Sequence, residues 1–279
     1  MRTPRHLQQS HLGYELSYSG LNNMPLRSLL ASAFVTAVPE LNYTAPQVRR
    51  PRSGGPVRVG FVSSSLSTNH TQCRLLCPLI NRLSRLPKLN VSAFVFTSDL
   101  ADKDYGWGAS EAALNMQLLP QGHSLVDARR KIVAAKPDVL IYNDISFSPT
   151  PYFLSLGRLA RAQVLTLNNG DTSGVPTMDY FIDAAAHHCA NDGASCGDAS
   201  DALLAPLVAA VDDAADARTP SETSPPQFSE RLLLLDASHA FIEAPPASVE
   251  QLPSREEARA RFGLPADARY LACPHTEYT

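Results

Sequence analysis

From Val57 onward the chain alternates short, almost wholly apolar runs with amphipathic stretches, and this alternation restricts the fold more than any other feature. VRVGFVS (57–63), NVSAFVFTS (90–98), DVLIYND (138–144), AQVLTLN (162–168), MDYFIDA (178–184), RLLLLD (231–236) and ARYLACP (268–274) read as strands. TQCRLLCPLINRLSRL (71–86), LVDARRKIVAAK (125–136), PTPYFLSLGRLAR (149–161) and SREEARARFGLP (254–265) read as helices. The last has Ser254 as N-cap, acids in its first turn and a Gly-Leu-Pro stop. Strands this uniformly apolar are buried on both faces. Interleaved with helices, they predict a parallel sheet covered on both sides, with right-handed crossovers: an α/β, Rossmann-like lobe.

The flanking segments have a different character. PLRSLLASAFVTAVPEL, inside residues 11–46, carries apolar residues at helical spacing and stops near Pro39. QVRRPRSGGP (47–56) reads as a Pro/Gly/Arg linker. Residues 186–228 are biased toward Ala, Asp, Ser and Pro, with room for a short Ala-rich helix at 202–217. The chain therefore divides into a helical lead-in and linker (1–56), a Rossmann-like lobe (57–185), an acidic insertion (186–228), and the end of the lobe with the start of a second one (229–279).

Composition excludes several function classes. The net charge of −3 gives no general attraction to nucleic acid or anionic membrane, and no run approaches a membrane span. Residues 1–62 hold seven Arg and two acids, whereas 183–257 hold fourteen acids and three Arg. The stretch QVRRPRSGGPVR (47–58) has four Arg but no aromatic residue, so it does not read as a nucleic-acid surface. Five cysteines, an odd number with no CxxC pair and no apolar leader, argue against a disulfide framework and for a reducing cytoplasmic or nuclear setting. Cys73 and Cys77 share a helix face, which reads as packing rather than metal binding. The sequence lacks GxGxxG after the first strand, a Walker loop, GxSxG and HExxH, which leaves dehydrogenase, P-loop, hydrolase and zinc-protease readings without support.

Ligands of open α/β sheets bind beyond the carboxyl ends of the strands. Three polar loops lie there: Ser63–His70, Asn143–Ser148 and Asn168–Gly174. Their small residues let a ligand approach backbone N–H groups. His70, just before a helix, either exchanges a proton near neutral pH or caps the helix, and Asn69 and Thr71 are equally good caps. Asp171 and Thr172 lie in a loop whose Asn-Gly-Asp and Ser-Gly steps also serve as turn formers. Asp179 reads as structural; the neighbouring pair His187 and His188 can bind a metal but reads first as exposed loop histidines, and His239 and His275 are undecided in the same way.

The order of these motifs resembles the amino-terminal catalytic lobe of the O-linked N-acetylglucosamine transferase family. The family's VGYVSSDF-x-NHPxxHL is matched by VGFVSSSLSTNHTQCRLL (59–76) and its GYPGTSGxxxMDY by NNGDTSGVPTMDY (168–180). Its SEKLxYLPHS is matched by SERLLLLDAS (229–238), and RFGLPADARYLACP (261–274) is similar to the opening of its second lobe. HLGYELSYSGLNNMPL (11–26) and LNYTAPQ (41–47) are similar to the segment preceding the lobe in bacterial-type members. The likeness spans about residues 11–279, with 186–228 as an insertion.

The resemblance implies the first half of a GT-B glycosyltransferase. Such an enzyme moves N-acetylglucosamine from UDP-GlcNAc to Ser or Thr hydroxyls of protein acceptors, with inversion, no cofactor and no metal. A GDP-fucose-using relative is an alternative, as is a binding or scaffold protein derived from the same lobe. His70 takes the position of the family's active-site histidine. Asn69, Gly170, Thr172, Ser173 and Gly174 take positions beside donor and acceptor. The chain departs from the family at Thr71 and Arg74 in the first motif, at Asn169, Gly170 and Asp171 in the second, and at Asp236 and Ala237 in the third. An acid at 171 would repel a diphosphate. The resemblance also implies that most nucleotide contacts belong to a second lobe beyond these residues, since Thr279 aligns with the family's diphosphate-binding Lys.

Overall fold

The computed structural model describes residues 14–52, 54–66, 71–97, 115–120, 124–166, 170–184, 227–235, 254–261 and 263–265. Its centre is a seven-stranded sheet in the order β3-β2-β1-β4-β5-β6-β7. The strands are β1 (Val57–Ser63), β2 (Leu89–Thr97), β3 (Asn115–Pro120), β4 (Val139–Tyr142), β5 (Ala162–Thr166), β6 (Tyr180–Ala184) and β7 (Arg231–Leu235). Every pairing is parallel. The α/β, Rossmann-like class expected from the alternation is the fold observed. The helices are α1 (Met24–Ala37), α2 (Thr71–Ser84), α3 (Leu125–Ala134), α4 (Pro149–Ser155) and α5 (Arg255–Arg261).

Alternate residues of each strand enter two separate cores. Val59 and Phe61 of β1, Val91, Ala93 and Val95 of β2, and Val139 and Ile141 of β4 pack with Cys73, Leu76, Cys77 and Ile80 of α2. Val62, Phe94, Phe96, Leu140 and Tyr142 pack on the other side with Ala31 of α1, Ala128 and Ile132 of α3, and Tyr152 and Phe153 of α4. Full burial of each large side chain contributes about 1.5–3 kcal/mol, so both layers are needed to hold the sheet. Gly60 leaves room for the Leu140 side chain, since a Cβ there would sit 2.7 Å from Leu140 Cδ1.

The lead-in helix α1 is part of this second core: Ala31 is fully buried, and Phe34 makes an edge-on contact with Phe153 at 5.0 Å. Backbone contacts divide the chain into units Met1–Ile242 and Glu243–Thr279. Within the latter, α5 opens on reciprocal Ser254 and Glu257 hydrogen bonds (2.7 and 3.2 Å) and closes at Gly263 with φ +63°, as its capping residues predict. The expected strand at 268–274, the Ala-rich helix at 202–217 and the insertion at 186–226 lie outside the described residues. No helix among the described residues is long and apolar enough to cross a membrane.

Two sequence expectations are corrected. β3 was not foreseen: NMQLLP has one fully buried residue, Leu119, because it forms the sheet edge and carries little apolar signal. Cys73 and Cys77 are joined in a disulfide, against the reading of the odd cysteine count. Residues one helical turn apart on the inward face of α2 bring their Cα atoms to 4.9 Å, within bridging range.

The arginine-rich segment is anchored rather than free. Arg58 grips the buried Asp138 through Nη2 (2.8 Å), Nε (3.1 Å) and its backbone N–H (3.0 Å). Arg52 and Arg161 stand 3.8 and 3.7 Å from the same carboxylate. Burial by itself would raise the Asp138 carboxyl, but the Arg58 hydrogen bonds outweigh it and hold the group below the usual carboxylate range. Asp138→Ala leaves three guanidinium groups without their shared partner. It is expected to lower unfolding free energy by about 3–5 kcal/mol in urea denaturation at neutral pH.

Candidate functional site

The connections from β1 and β4 leave toward opposite edges of the sheet, so the crevice at their carboxyl ends is the topological switch point. The described parts of all three predicted loops, Ser63–Leu66, Asn143–Ser148 and Gly170–Gly174, follow strands at this end. His70 and Asn69 lie outside the described residues, as do Asn168, Asn169, His187, His188, His239 and His275.

Asp144 joins the first two loops. Its Oδ2 accepts hydrogen bonds from Ser64 N (2.6 Å), Ser65 Oγ (3.0 Å), Ser63 Oγ (3.1 Å) and Ser148 Oγ (3.3 Å). Its Oδ1 is buried and accepts no hydrogen bond among the described residues. Burial pushes the Asp144 carboxyl up to about 6, although its four hydrogen bonds pull the other way. The neighbouring Asn143 is also fully buried. It donates from Nδ2 to Gln72 Oε1 at 2.7 Å, which ties the second loop to the first turn of α2, and its Oδ1 has no hydrogen-bond partner among the described residues.

Arg27 of α1 joins the second loop to the third. Its Nη2 and Nε donate to Asp171 Oδ2 at 2.9 and 3.1 Å, and Nη1 reaches Ser146 Oγ at 3.5 Å. Asn23 Nδ2 donates to the same Asp171 oxygen at 3.0 Å, and Ser17 Oγ at 3.4 Å. The two charged side chains are only 6% and 16% exposed, so the pair is shielded from water. The acid expected to repel a diphosphate is thus matched by a guanidinium.

The other predicted residues of the third loop are brought together, each in a distinct setting. Thr172 Oγ1 donates to Glu230 Oε2 at 2.7 Å, Ser173 N donates to Glu230 Oε1 at 2.8 Å, and Ser173 Oγ donates to the same Oε1. Both hydroxyl side chains are buried. Gly170 and Gly174 have φ of +65° and +64°. A Cβ on Gly170 meets nothing within 4 Å, whereas one on Gly174 would lie 2.5 Å from Arg27 Cβ and 2.6 Å from Ser28 N. Gly170 therefore presents open backbone, and Gly174 lets α1 press against the loop. Asp179 has the structural role expected of it, since its Oδ2 accepts from Gln163 N at 2.8 Å and from Arg158.

Sequence reasoning did not single out Arg27, Asn23, Glu230 or Asp144. Arg27 and Glu230 are 144 and 57–58 residues from their partners, and no local pattern marks such pairings. Asp144 carried one weak signal, a lone acid ending an apolar run inside a serine-rich stretch.

Two measurements test this geometry. Gly174→Ala is expected to cost about 2–4 kcal/mol in urea denaturation, from left-handed strain plus overlap with α1. Gly170→Ala should cost about 1–2 kcal/mol, from the strain alone. For Asp144 the folded-state value lies above the unfolded one, so its contribution to stability is full below about pH 4 and is lost as pH rises through about 6. The loss is on the order of 3 kcal/mol. Asp144→Asn should flatten that part of the stability–pH curve.

No protein-family model and no curated protein sequence matches the chain. Among solved structures it is similar to a K341M mutant of the O-GlcNAc transferase of Thermobaculum terrenum. The sequences are 19% identical, the TM-score is 0.53, and the match covers 86% of this chain and 39% of that one. The chain thus spans about two fifths of that protein's length, and the likeness is one of fold: a parallel α/β, Rossmann-like lobe.

Proposed function

We propose that the chain is the amino-terminal catalytic lobe of a protein O-glycosyltransferase. The reaction is transfer of N-acetylglucosamine from UDP-GlcNAc to Ser or Thr hydroxyls of protein acceptors, with inversion and without a metal or cofactor. One observation carries the reading. On a GT-B-like lobe, three small-residue loops lie at the carboxyl ends of β1, β4 and β5, and Asp144 and Arg27 bind them to one another across the switch point. In this reading His70 and Asn69 act on the sugar and acceptor from the first loop. Gly170 offers backbone to the donor, and Thr172, Ser173 and Gly174 fix the shape of the third loop. Catalysis rests on orientation and on electrostatic stabilisation of the leaving diphosphate. We place the enzyme in the cytoplasm or nucleus, acting on proteins rather than on nucleic acid or membrane. The Cys73–Cys77 bridge spans a single helical turn and links no two elements.

A second reading is favoured by a specific observation. The Asp171 carboxylate and the Thr172 and Ser173 hydroxyls are engaged by Arg27 and Glu230, inside the protein. A lobe whose polar loop groups are engaged in this way also suits a binding or scaffold protein.

The test supplies the carboxy-terminal lobe of a related O-GlcNAc transferase in trans. Transfer is then measured from UDP-GlcNAc and, in parallel, from GDP-fucose. The transferase reading expects turnover from UDP-GlcNAc that falls by at least about 100-fold in His70→Ala. Turnover from GDP-fucose alone would move the chain to the fucosyl relatives. No turnover from either, with neither nucleotide sugar binding, would leave the scaffold.

A further inference from the structure

The amino ends of the strands carry a row of cations that exceeds what the fold needs. Lys88 precedes β2, Arg58 stands at the start of β1, Lys136 and Asp138 precede β4, and Arg161 precedes β5. Strand pairing sets these positions side by side. Val57 N donates to Lys88 O at 2.8 Å, Asp138 N to Arg58 O at 2.8 Å, and Ala162 N to Asp138 O at 3.1 Å. The four strands are neighbours in the sheet. Adjacent strands lie about 4.8 Å apart, so the row is about 14 Å long.

Asp138 is the one acid among the described residues of this row, and Arg58 by itself satisfies it. Nη2 of Arg58 donates to Oδ1, and its Nε and backbone N–H donate to Oδ2. Arg161 adds charge without a hydrogen bond to that carboxylate. Its Nε stands 3.7 Å from Oδ1, buried, with no hydrogen-bond partner among the described residues. The next acid along the edge, Asp179, is taken by Arg158. Arg161 also holds the preceding segment in place: its Nη2 donates to the carbonyls of Gln47 (3.0 Å) and Arg50. Arg49 and Arg50 are thereby presented at the same edge, and both are exposed, as are Lys88 and Lys136.

Lys136 is a separate sign that charge matters here. It follows α3 with φ +49°, the one non-glycine residue with positive φ among the described residues, at a position where glycine is usual. The helix dipole favours a cation there by less than the left-handed backbone disfavours a side chain. Like charges held this close repel one another, and an anion relieves them.

We infer that the amino-terminal edge of the sheet is a docking surface for an acidic, extended segment of a partner protein, whose carboxylates meet Arg49, Arg50, Lys88 and Lys136. An extended chain rises about 3.3 Å per residue, so about four residues cover the row. Two features disfavour other polyanions. Residues 47–58 hold no aromatic ring on which a base could stack. Among the described residues near Lys88, one large apolar side chain is exposed, Leu86 at 48%, which is too little to enter a lipid surface. The inference does not rest on the transferase reading, because the crevice lies at the carboxyl ends of the strands.

The experiment measures binding of fluorescein-labelled decaglutamate to the full chain by fluorescence anisotropy, with a Gly-Ser peptide of equal length as control. Lys88→Glu combined with Lys136→Glu is expected to weaken binding by at least about 10-fold. Arg255→Glu combined with Arg261→Glu changes the net charge equally, on α5, and should leave the affinity within about twofold. Raising salt from about 50 to 500 mM should weaken binding to the unaltered chain by at least about 10-fold. Arg52, Arg58 and Arg161, which surround Asp138, stay in place throughout. Should the double reversal not fold, Lys88→Gln combined with Lys136→Gln must still weaken binding, by at least about threefold. No peptide binding, an equal loss in both double reversals, or equal affinity for the Gly-Ser peptide overturns the proposal. An oligothymidylate of equal charge, or phosphatidylserine vesicles, held more tightly than the peptide and released by the Lys88 and Lys136 reversals also overturns it. With no nucleotide sugar in the assay, each outcome leaves the transferase reading where it stood.

Discussion

The inner strands of the seven-stranded parallel sheet bury both of their faces, and that requirement places most of the remaining structure. One face is closed by α2. The other needs more apolar surface than α3 and α4 supply, and α1, which precedes the first strand, provides it through Ala31 and Phe34. Once α1 lies there, Arg27 and Asn23 stand beside the loop after β5, and Gly174 must lack a side chain for the helix backbone to fit. The packing of an outer helix thereby becomes part of the candidate site.

Three of the buried or half-buried acids, Asp144, Asp171 and Glu230, tie the polar loops to segments distant in sequence. Asp144 ties the β1 loop to the β4 loop, Asp171 ties the β5 loop to α1, and Glu230 ties the β5 loop to the start of β7. Loops held in this way have little freedom left to lose when a ligand arrives, which is the condition for binding by preorganised backbone and side chains. The same anchoring consumes polar groups. Thr172 and Ser173 face Glu230, whereas Gly170 leaves its backbone open. At the amino ends of the strands, Asp138 gathers Arg52, Arg58 and Arg161. The arginine-rich stretch that looked like a linker thus closes the base of the sheet.

The strands of the interior were legible to within about two residues at each end. VRVGFVS is β1 over its full length, and the helix expected from Thr71 begins there. Legibility failed where the physical signal is weak or distant. β3 sits at an edge and buries one residue completely, so its composition is nearly that of a loop. The cysteine count gave no hint of the Cys73–Cys77 bridge, because a bond across one helical turn obeys local geometry rather than a pairing rule. Of the candidate site, the positions of the three polar loops followed from the strand ends. What holds them did not, since Asp171 differs from a repelling acid only by the arrival of Arg27 from 144 residues away.

The sequence by itself determined the fold class, the parallel pairing and the end of the sheet where the polar loops follow the strands. Those properties follow from apolar periodicity and from which residues can occupy tight loops, and both are local. Only the tertiary structure decided which acids are matched by a guanidinium and which hydroxyls are turned inward. Charge and hydrogen bonding inside a protein depend on what lies within about 3 Å in space. In this fold those neighbours come from α1, from β7 and from across the switch point, where the chain order gives no sign of them.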